Sequence, residues 1–168
     1  DAGAVYVLFL NDDGTVKHEQ KISNFAGGLP ATLDKDDEFG RSVGVAGDVD
    51  GDGLPDLLVG ALRDDDGDKD MGALYVLFMN FDGTVRATQK ISDTAGDLVT
   101  PLSKYDHFGS AVTGLGDLDG DGAIDFAVGA YQDDDGGKNR GAVYTLDTRG
   151  PSTEPVSARY VRVQLDGT

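Results

Sequence analysis

The chain has no cysteine and no tryptophan, only 5 prolines, and only 14 basic residues among 168. Without cysteine there are no disulfide staples and no thiolate metal sites. Any cross-link in the fold must come from packing, strand pairing or a cation held by oxygen. The shortage of Lys and Arg against 31 acidic residues leaves a net charge of −17. Such a surface repels phosphate backbones and anionic lipid headgroups, so no nucleic-acid partner is expected. No segment approaches the ~20 consecutive apolar residues of a membrane-spanning helix, so membrane insertion is not expected either. Long amphipathic helical patterns are missing too, while glycine is plentiful at 25 residues. Together these features read as a turn-rich, all-β chain, long enough for one ordinary domain with a real core. Asn-x-Ser/Thr sequons are absent. The sequence opens on Asp1 with neither an initiator Met nor a signal peptide and reads as a piece of a longer polypeptide.

What is present is a repeat. Gly3-Ala4-Val5-Tyr6-Val7-Leu8-Phe9 recurs as Gly72-Ala73-Leu74-Tyr75-Val76-Leu77-Phe78 and again as Gly141-Ala142-Val143-Tyr144-Thr145-Leu146, at steps of 69 residues (72 − 3 and 141 − 72). Asp13-Gly14-Thr15-Val16 matches Asp82-Gly83-Thr84-Val85, Phe39-Gly40 matches Phe108-Gly109, and Asp64-Asp65-Asp66-Gly67 matches Asp133-Asp134-Asp135-Gly136. A fixed period of this length marks a repeat architecture built from one supersecondary unit.

One unit reads as four short strands. Ser42 to Gly47 alternates small and apolar residues, and Asp56 to Ala61 is a nearly continuous apolar run, suited to a strand buried on both faces. Ala73 to Met79 follows, then the Asn80-Phe81-Asp82-Gly83 hairpin turn and a more polar outer strand from Thr88 to Ser92. A four-stranded meander per unit is what a propeller blade needs. The predicted fold class is all-β, with β-propeller-type blades of four antiparallel strands, about two and a half of them. The expected divisions are a half blade over 1–36, a complete blade over 37–105, the first three strands of another over 106–149, and a linker plus a strand over 150–168.

Between the first two strands of each full unit lies an acidic loop, Asp48-Val49-Asp50-Gly51-Asp52-Gly53-Leu54-Pro55-Asp56 and Asp117-Leu118-Asp119-Gly120-Asp121-Gly122-Ala123-Ile124-Asp125. Carboxylates at loop positions 1, 3, 5 and 9, with a backbone carbonyl near position 7, suit a hard cation such as Ca²⁺. Glycine at position 6, Gly53 or Gly122, permits the left-handed backbone that wraps a loop around an ion. Carboxylates this crowded repel one another unless a cation neutralises them.

At Phe39-Gly40, the acidic loop and Gly60-Ala61, the chain resembles the FG-GAP repeat family, the blades of integrin α-subunit propellers and of many secreted bacterial proteins. The resemblance covers about residues 1 to 146 and rests on motif order, loop spacing and repeat length together. It implies two Ca²⁺ sites, with ligands Asp48, Asp50, Asp52, Leu54 and Asp56 in one and Asp117, Asp119, Asp121, Ala123 and Asp125 in the other, Leu54 and Ala123 through their carbonyls. Leu62 and Tyr131 stand where the family has proline after Gly-Ala, which bears on the local turn alone. An EF-hand begins similarly but ends in Glu at position 12, where this chain has Val59 and Val128 inside apolar runs.

The remaining motifs read more blandly. The Asp64 and Asp133 triplets are expected to be solvated turns. His18 and His107 fall at non-equivalent repeat positions, and Tyr6, Tyr75 and Tyr144 recur at one position suited to packing between blades. No nucleophile, base and acid set assembles, so no catalytic residue is assigned. Ser157 to Leu165 alternates like a strand, either the outer strand of the last blade or the opening of a discoidin-like domain. The functional expectation is an extracellular, calcium-stabilised adhesion module, non-catalytic, at the cell surface or secreted. Its partners would be other blades or subunits through strand-edge pairing, and a protein or carbohydrate ligand. Two alternatives stand beside it: a filament or oligomer subunit completing its blades in trans, and an accessory propeller of a larger secreted hydrolase.

Overall fold

The computed structural model describes residues 2–148 and the backbone of residues 159–163. It contains β1 (Val5–Leu10), β2 (Val16–Ile22), β3 (Phe39–Gly47), β4 (Asp56–Ala61), β5 (Ala73–Met79), β6 (Val85–Ile91), β7 (Phe108–Gly116), β8 (Asp125–Ala130), β9 (Ala142–Asp147) and β10 (Arg159–Val163). There is no helix among the described residues. The strands form three antiparallel sheets: β1-β2, β3-β4-β5-β6 and β7-β8-β9-β10. β10 pairs with β9 from Arg159 opposite Asp147 to Val163 opposite Val143, the place that β6 takes beside β5. The linker expected over Gly150 to Pro155 lies outside the described residues.

β4 and β5 occupy the spans expected from their apolar runs, while the outer strand starts earlier, at Val85. The hairpin turn accounts for the difference. The Thr84 amide and hydroxyl both donate to Asp82 Oδ1, at 3.0 and 2.6 Å, and Asn80 Nδ2 donates to the Thr84 hydroxyl at 2.9 Å. With the turn locked from Asn80 to Thr84, the chain is already extended at Val85. The same device closes the first hairpin through Asp13 and Thr15.

The core lies between the sheets. One cluster joins the β1-β2 sheet to the next through Val5, Ile22, Phe39, Val59, Tyr75 and Leu77; a second joins that sheet to the last through Leu58, Leu74, Val76, Phe108, Phe126 and Tyr144. Neighbouring residues Leu58 and Val59 therefore belong to opposite interfaces, and both are fully buried. This is the two-sided burial that the apolar run of β4 predicts. Each such side chain contributes roughly 1.5–3 kcal/mol relative to exposure. The repeating tyrosine shares the interfaces: Tyr75 meets Phe39 edge-on at 5.4 Å between ring centroids, and Tyr144 meets Phe108 in the same way at 5.3 Å. Tyr6, on the uncovered face of β1, is half exposed and lies under Lys21.

Candidate metal centre

Each acidic loop joins two inner strands, β3 to β4 and β7 to β8, at a point where both strands run out of partners. The chain must reverse there in nine residues (Asp48 to Asp56, Asp117 to Asp125), and its own carboxylates cap the turning amides. Gly53 N–H donates to Asp48 Oδ2 at 2.9 Å, Asp52 N–H to Asp50 Oδ1 at 3.2 Å and Leu54 N–H to Asp52 Oδ1 at 2.9 Å. The second loop repeats the pattern: Gly122 to Asp117 Oδ2 at 3.0 Å, Asp121 to Asp119 Oδ1 at 3.0 Å and Ala123 to Asp121 Oδ1 at 2.8 Å. Gly53 and Gly122 adopt φ of 87° and 92°, the left-handed conformation that a side chain would strain.

Asp56 and Asp125 anchor the loops to the sheets. Asp56 is buried and accepts Val49 N–H at 2.9 Å through one oxygen and Met79 N–H at 3.0 Å through the other. Asp125 does the same with Leu118 at 2.8 Å and Thr148 at 3.1 Å. Burial raises the Asp56 pKa above the ordinary carboxylate value, and the neighbouring charges of Asp50 and Asp52 push the same way, while the amides of Met79 and Val49 oppose them.

The loops bring carboxylates together as a cation site requires. One oxygen from each of Asp48, Asp50 and Asp56 lies within 4.8 Å of the others, as do oxygens from Asp117, Asp119 and Asp125. Asp119 and Asp121 form a further such trio with Asp147 at the end of β9. Asp52 lies outside the first trio, as Asp121 lies outside the trio of Asp117, Asp119 and Asp125; Asp52 pairs with Arg86 of β6 at 3.0 Å, and Arg86 also pairs with Asp50. Leu54 and Ala123 sit at position 7, each with its N–H held by the preceding acidic residue. Asp48 Oδ1 is buried and has no hydrogen-bond partner. An ionised oxygen in that position is costly unless something positive shares it, so the donor set fits a hard cation.

Two features escaped the sequence reading. Arg86 is invisible until β6 folds back beside the loop, although Lys17 stands 69 residues earlier (86 − 17) as a hint of a basic position. The Asp64 and Asp133 triplets depart from the solvated turns expected of them at their first residue, while Asp65, Asp134 and Asp135 are exposed. Asp64 and Asp133 are buried, and their Oδ2 atoms accept the hydroxyls of Tyr75 and Tyr144 at 3.0 and 2.7 Å. Lys90 completes the first cluster, 2.8 Å from Asp64 and 2.6 Å from Asp66. Burial alone would lower the Lys90 pKa, but its hydrogen bonds to Asp64 and Asp66 outweigh burial and raise it. Beside this cluster, burial pushes the Asp37 carboxyl up to about 6 against the pull of the Asp34 amide.

These features define a class, repeated four-stranded blades with an acidic loop between the two inner strands. The chain belongs to the FG-GAP repeat family: residues 39–77 and 101–146 each match an FG-GAP repeat. It is also similar to integrin alpha-PS2 of Drosophila melanogaster (39% identical over 70% of this chain and 8% of that protein). Similarity extends to integrin alpha-5 of Xenopus laevis (35% identical, 84% of this chain, 12% of that protein) and integrin alpha-11 of Homo sapiens (33% identical, 77% and 10%). The chain thus spans about a tenth of the length of these relatives. The three sheets are propeller blades, the first represented by two strands.

Proposed function

We propose that this chain is a calcium-stabilised, non-catalytic blade segment of an extracellular adhesion protein. Each acidic loop holds one Ca²⁺, through Asp48, Asp50, Asp52, Asp56 and the Leu54 carbonyl, and through Asp117, Asp119, Asp121, Asp125 and the Ala123 carbonyl. The observation that carries this reading is the buried, unpartnered Asp48 Oδ1 beside the converging oxygens of Asp50 and Asp56. Bound Ca²⁺ supplies positive charge and oxygen coordination where the loop carboxylates crowd. The protein's part is to fix the turn: Asp56 and Asp125 tie each loop to its sheet, so metal affinity and blade stability are one linked quantity. The resemblance to integrin α blades supports an extracellular or cell-surface setting, where millimolar calcium suits sites of modest affinity.

Calorimetric titration of chelator-stripped protein with CaCl₂ tests the reading. Saturable binding of two ions per chain is expected. Heats indistinguishable from dilution up to about 10 mM would refute it, because extracellular sites bind at about 0.1–1 mM.

A further inference from the structure

Between the first two sheets, at the end where the acidic loop from Asp48 lies, the molecule carries a groove of about 300 Å³. Phe9 of β1 faces it from one sheet, Leu57 of β4 and Met79 of β5 from the other, and Pro55 of the acidic loop and Phe81 of the β5–β6 hairpin complete the lining. Among the described residues no charged side chain lines it. Its polar side chain, Asn80, is committed to its own turn, with Nδ2 donating to the Thr84 hydroxyl at 2.9 Å. What the groove offers a ligand is apolar and aromatic surface.

Its walls are set before anything binds. The Phe9 ring stacks on His18 at 4.1 Å between centroids, and the hairpin closes on the same ring through Gly83, where a Cβ would stand 3.0 Å from Phe9 Cε2. Met79 is buried, with its N–H held by Asp56. Phe81 stands apart from them. It is 85% exposed, and its counterpart in the first hairpin is Asp12 (81 − 69), so neither the core nor the repeat calls for an aromatic there. At the second junction Ile124 takes the place of Pro55 (55 + 69) and packs against the core beside Phe78, whereas Pro55 is exposed and joins no core cluster. Proline for isoleucine and phenylalanine for aspartate make this groove a property of the first junction, not of the repeat.

Charge narrows what can enter. The loop 48–56 and the turn 80–84 carry Asp48, Asp50, Asp52, Asp56 and Asp82 and no basic residue, and Arg86 pairs with only two of the five. Asp82 is exposed, and its hydrogen bonds from the Thr84 hydroxyl and amide lower its pKa and keep it ionised. An apolar floor inside an acidic rim selects a cationic partner with a large apolar group, and at about 300 Å³ it lies at the small end of ligand clefts. A second copy of the chain brings the same net charge of −17 and is repelled.

We propose that this groove is a docking seat for one aromatic side chain of a basic peptide segment on a partner protein, the ring held between Phe9, Met79 and Phe81 and the flanking Lys or Arg side chains facing the acidic rim. Ring edges and a thioether favour an aromatic group over an aliphatic one, and the surrounding carboxylates speed its arrival. The seat rests on its own walls and does not depend on the loops binding calcium.

The chain has no tryptophan, so a tryptophan in the ligand reports its own burial. The test is a fluorescence titration of the peptide Lys-Lys-Trp-Lys-Lys with the full chain, beside Glu-Glu-Trp-Glu-Glu and beside a Phe81→Asp protein. Phe81→Asp places at an exposed position the residue type that the first hairpin already carries, so the fold is kept. A saturable blue shift with a Kd of about 1 mM or tighter is expected for the basic peptide and none for the acidic one. The Phe81→Asp protein should bind the basic peptide at least about fivefold more weakly, although its added charge would strengthen a purely electrostatic contact. No blue shift up to about 5 mM protein, or binding undiminished in the Phe81→Asp protein, would overturn the seat. Equal binding of the acidic peptide, or self-association of the chain that Phe81→Asp abolishes, would overturn the choice of occupant.

Discussion

The two acidic loops share one pattern and differ in what stands beside them. The loop from Asp48 has an internal cation, Arg86, paired with Asp50 and Asp52; among the described residues no ion pair reaches Asp117, Asp119 or Asp121. The second loop instead has Asp147, which adds a carboxylate where Phe78 stands in the middle blade (147 − 69). One loop is thus partly neutralised by Arg86, and the other gathers a further carboxylate from the end of β9. Repeated sequence does not enforce repeated electrostatics, because the deciding groups arrive from strands outside the motif.

The strongest test of the contrast lies at the opposite end of the middle blade, where the cation is built in completely. Lys90→Met leaves buried Asp64 and its neighbour Asp66 without their ammonium, and should cost about 3 kcal/mol, tempered by the partial exposure of Lys90. Denaturant melts should show this loss equally with calcium and with chelator; a loss seen only in calcium would dissolve the distinction between built-in and bound cations. Asp121→Ala comes next. It should remove about 2 kcal/mol of calcium-dependent stability and leave the chelated protein nearly unchanged or slightly stabilised, since one repelling carboxylate is gone.

Asp37 shows what a buried carboxylate costs when it has no ion pair among the described residues. Its folded pKa of about 6 exceeds the ordinary value of 3.8, so the folded state holds the proton more tightly. On this group's account stability is greatest below about pH 4 and falls as pH rises through 6. Asp37→Asn should flatten that fall and give a net gain of about 1 kcal/mol at pH 7, read from urea midpoints across pH 4–7. A mutant with the wild-type pH profile would contradict the assignment. The smallest effect is that of Arg86→Ala, which should strengthen calcium binding several-fold at the first loop alone while lowering the melting temperature of the chelated protein slightly. Unchanged affinity at both loops would erase the asymmetry.

Much of this molecule is legible in its sequence, since the period, the strand order and the all-β class follow from local patterns. β4 shows why: six residues from Asp56 to Ala61 state their own two-sided burial through unbroken apolarity. The start of β6 was not legible from propensity, because Thr84 and Asp82 set it through side-chain hydrogen bonds. The acidic loops announce their donors, but neither the pairing of Asp50 and Asp52 with Arg86 nor the arrival of Asp147 is written in the motif. The buried role of Asp64 was hidden for a related reason. An Asp triplet ahead of glycine looks solvated until Tyr75 and Lys90, eleven and twenty-six residues on (75 − 64 and 90 − 64), fold over it.

The central claim is that cations held by the loops stabilise the blades, and thermal unfolding of the unmodified chain in 1–2 mM calcium against excess chelator tests it most directly. A melting temperature higher by about 5 °C or more in calcium, with greater protease resistance of the loops, is the expected result. Coincident melting curves and equal protease resistance in the two buffers would contradict it.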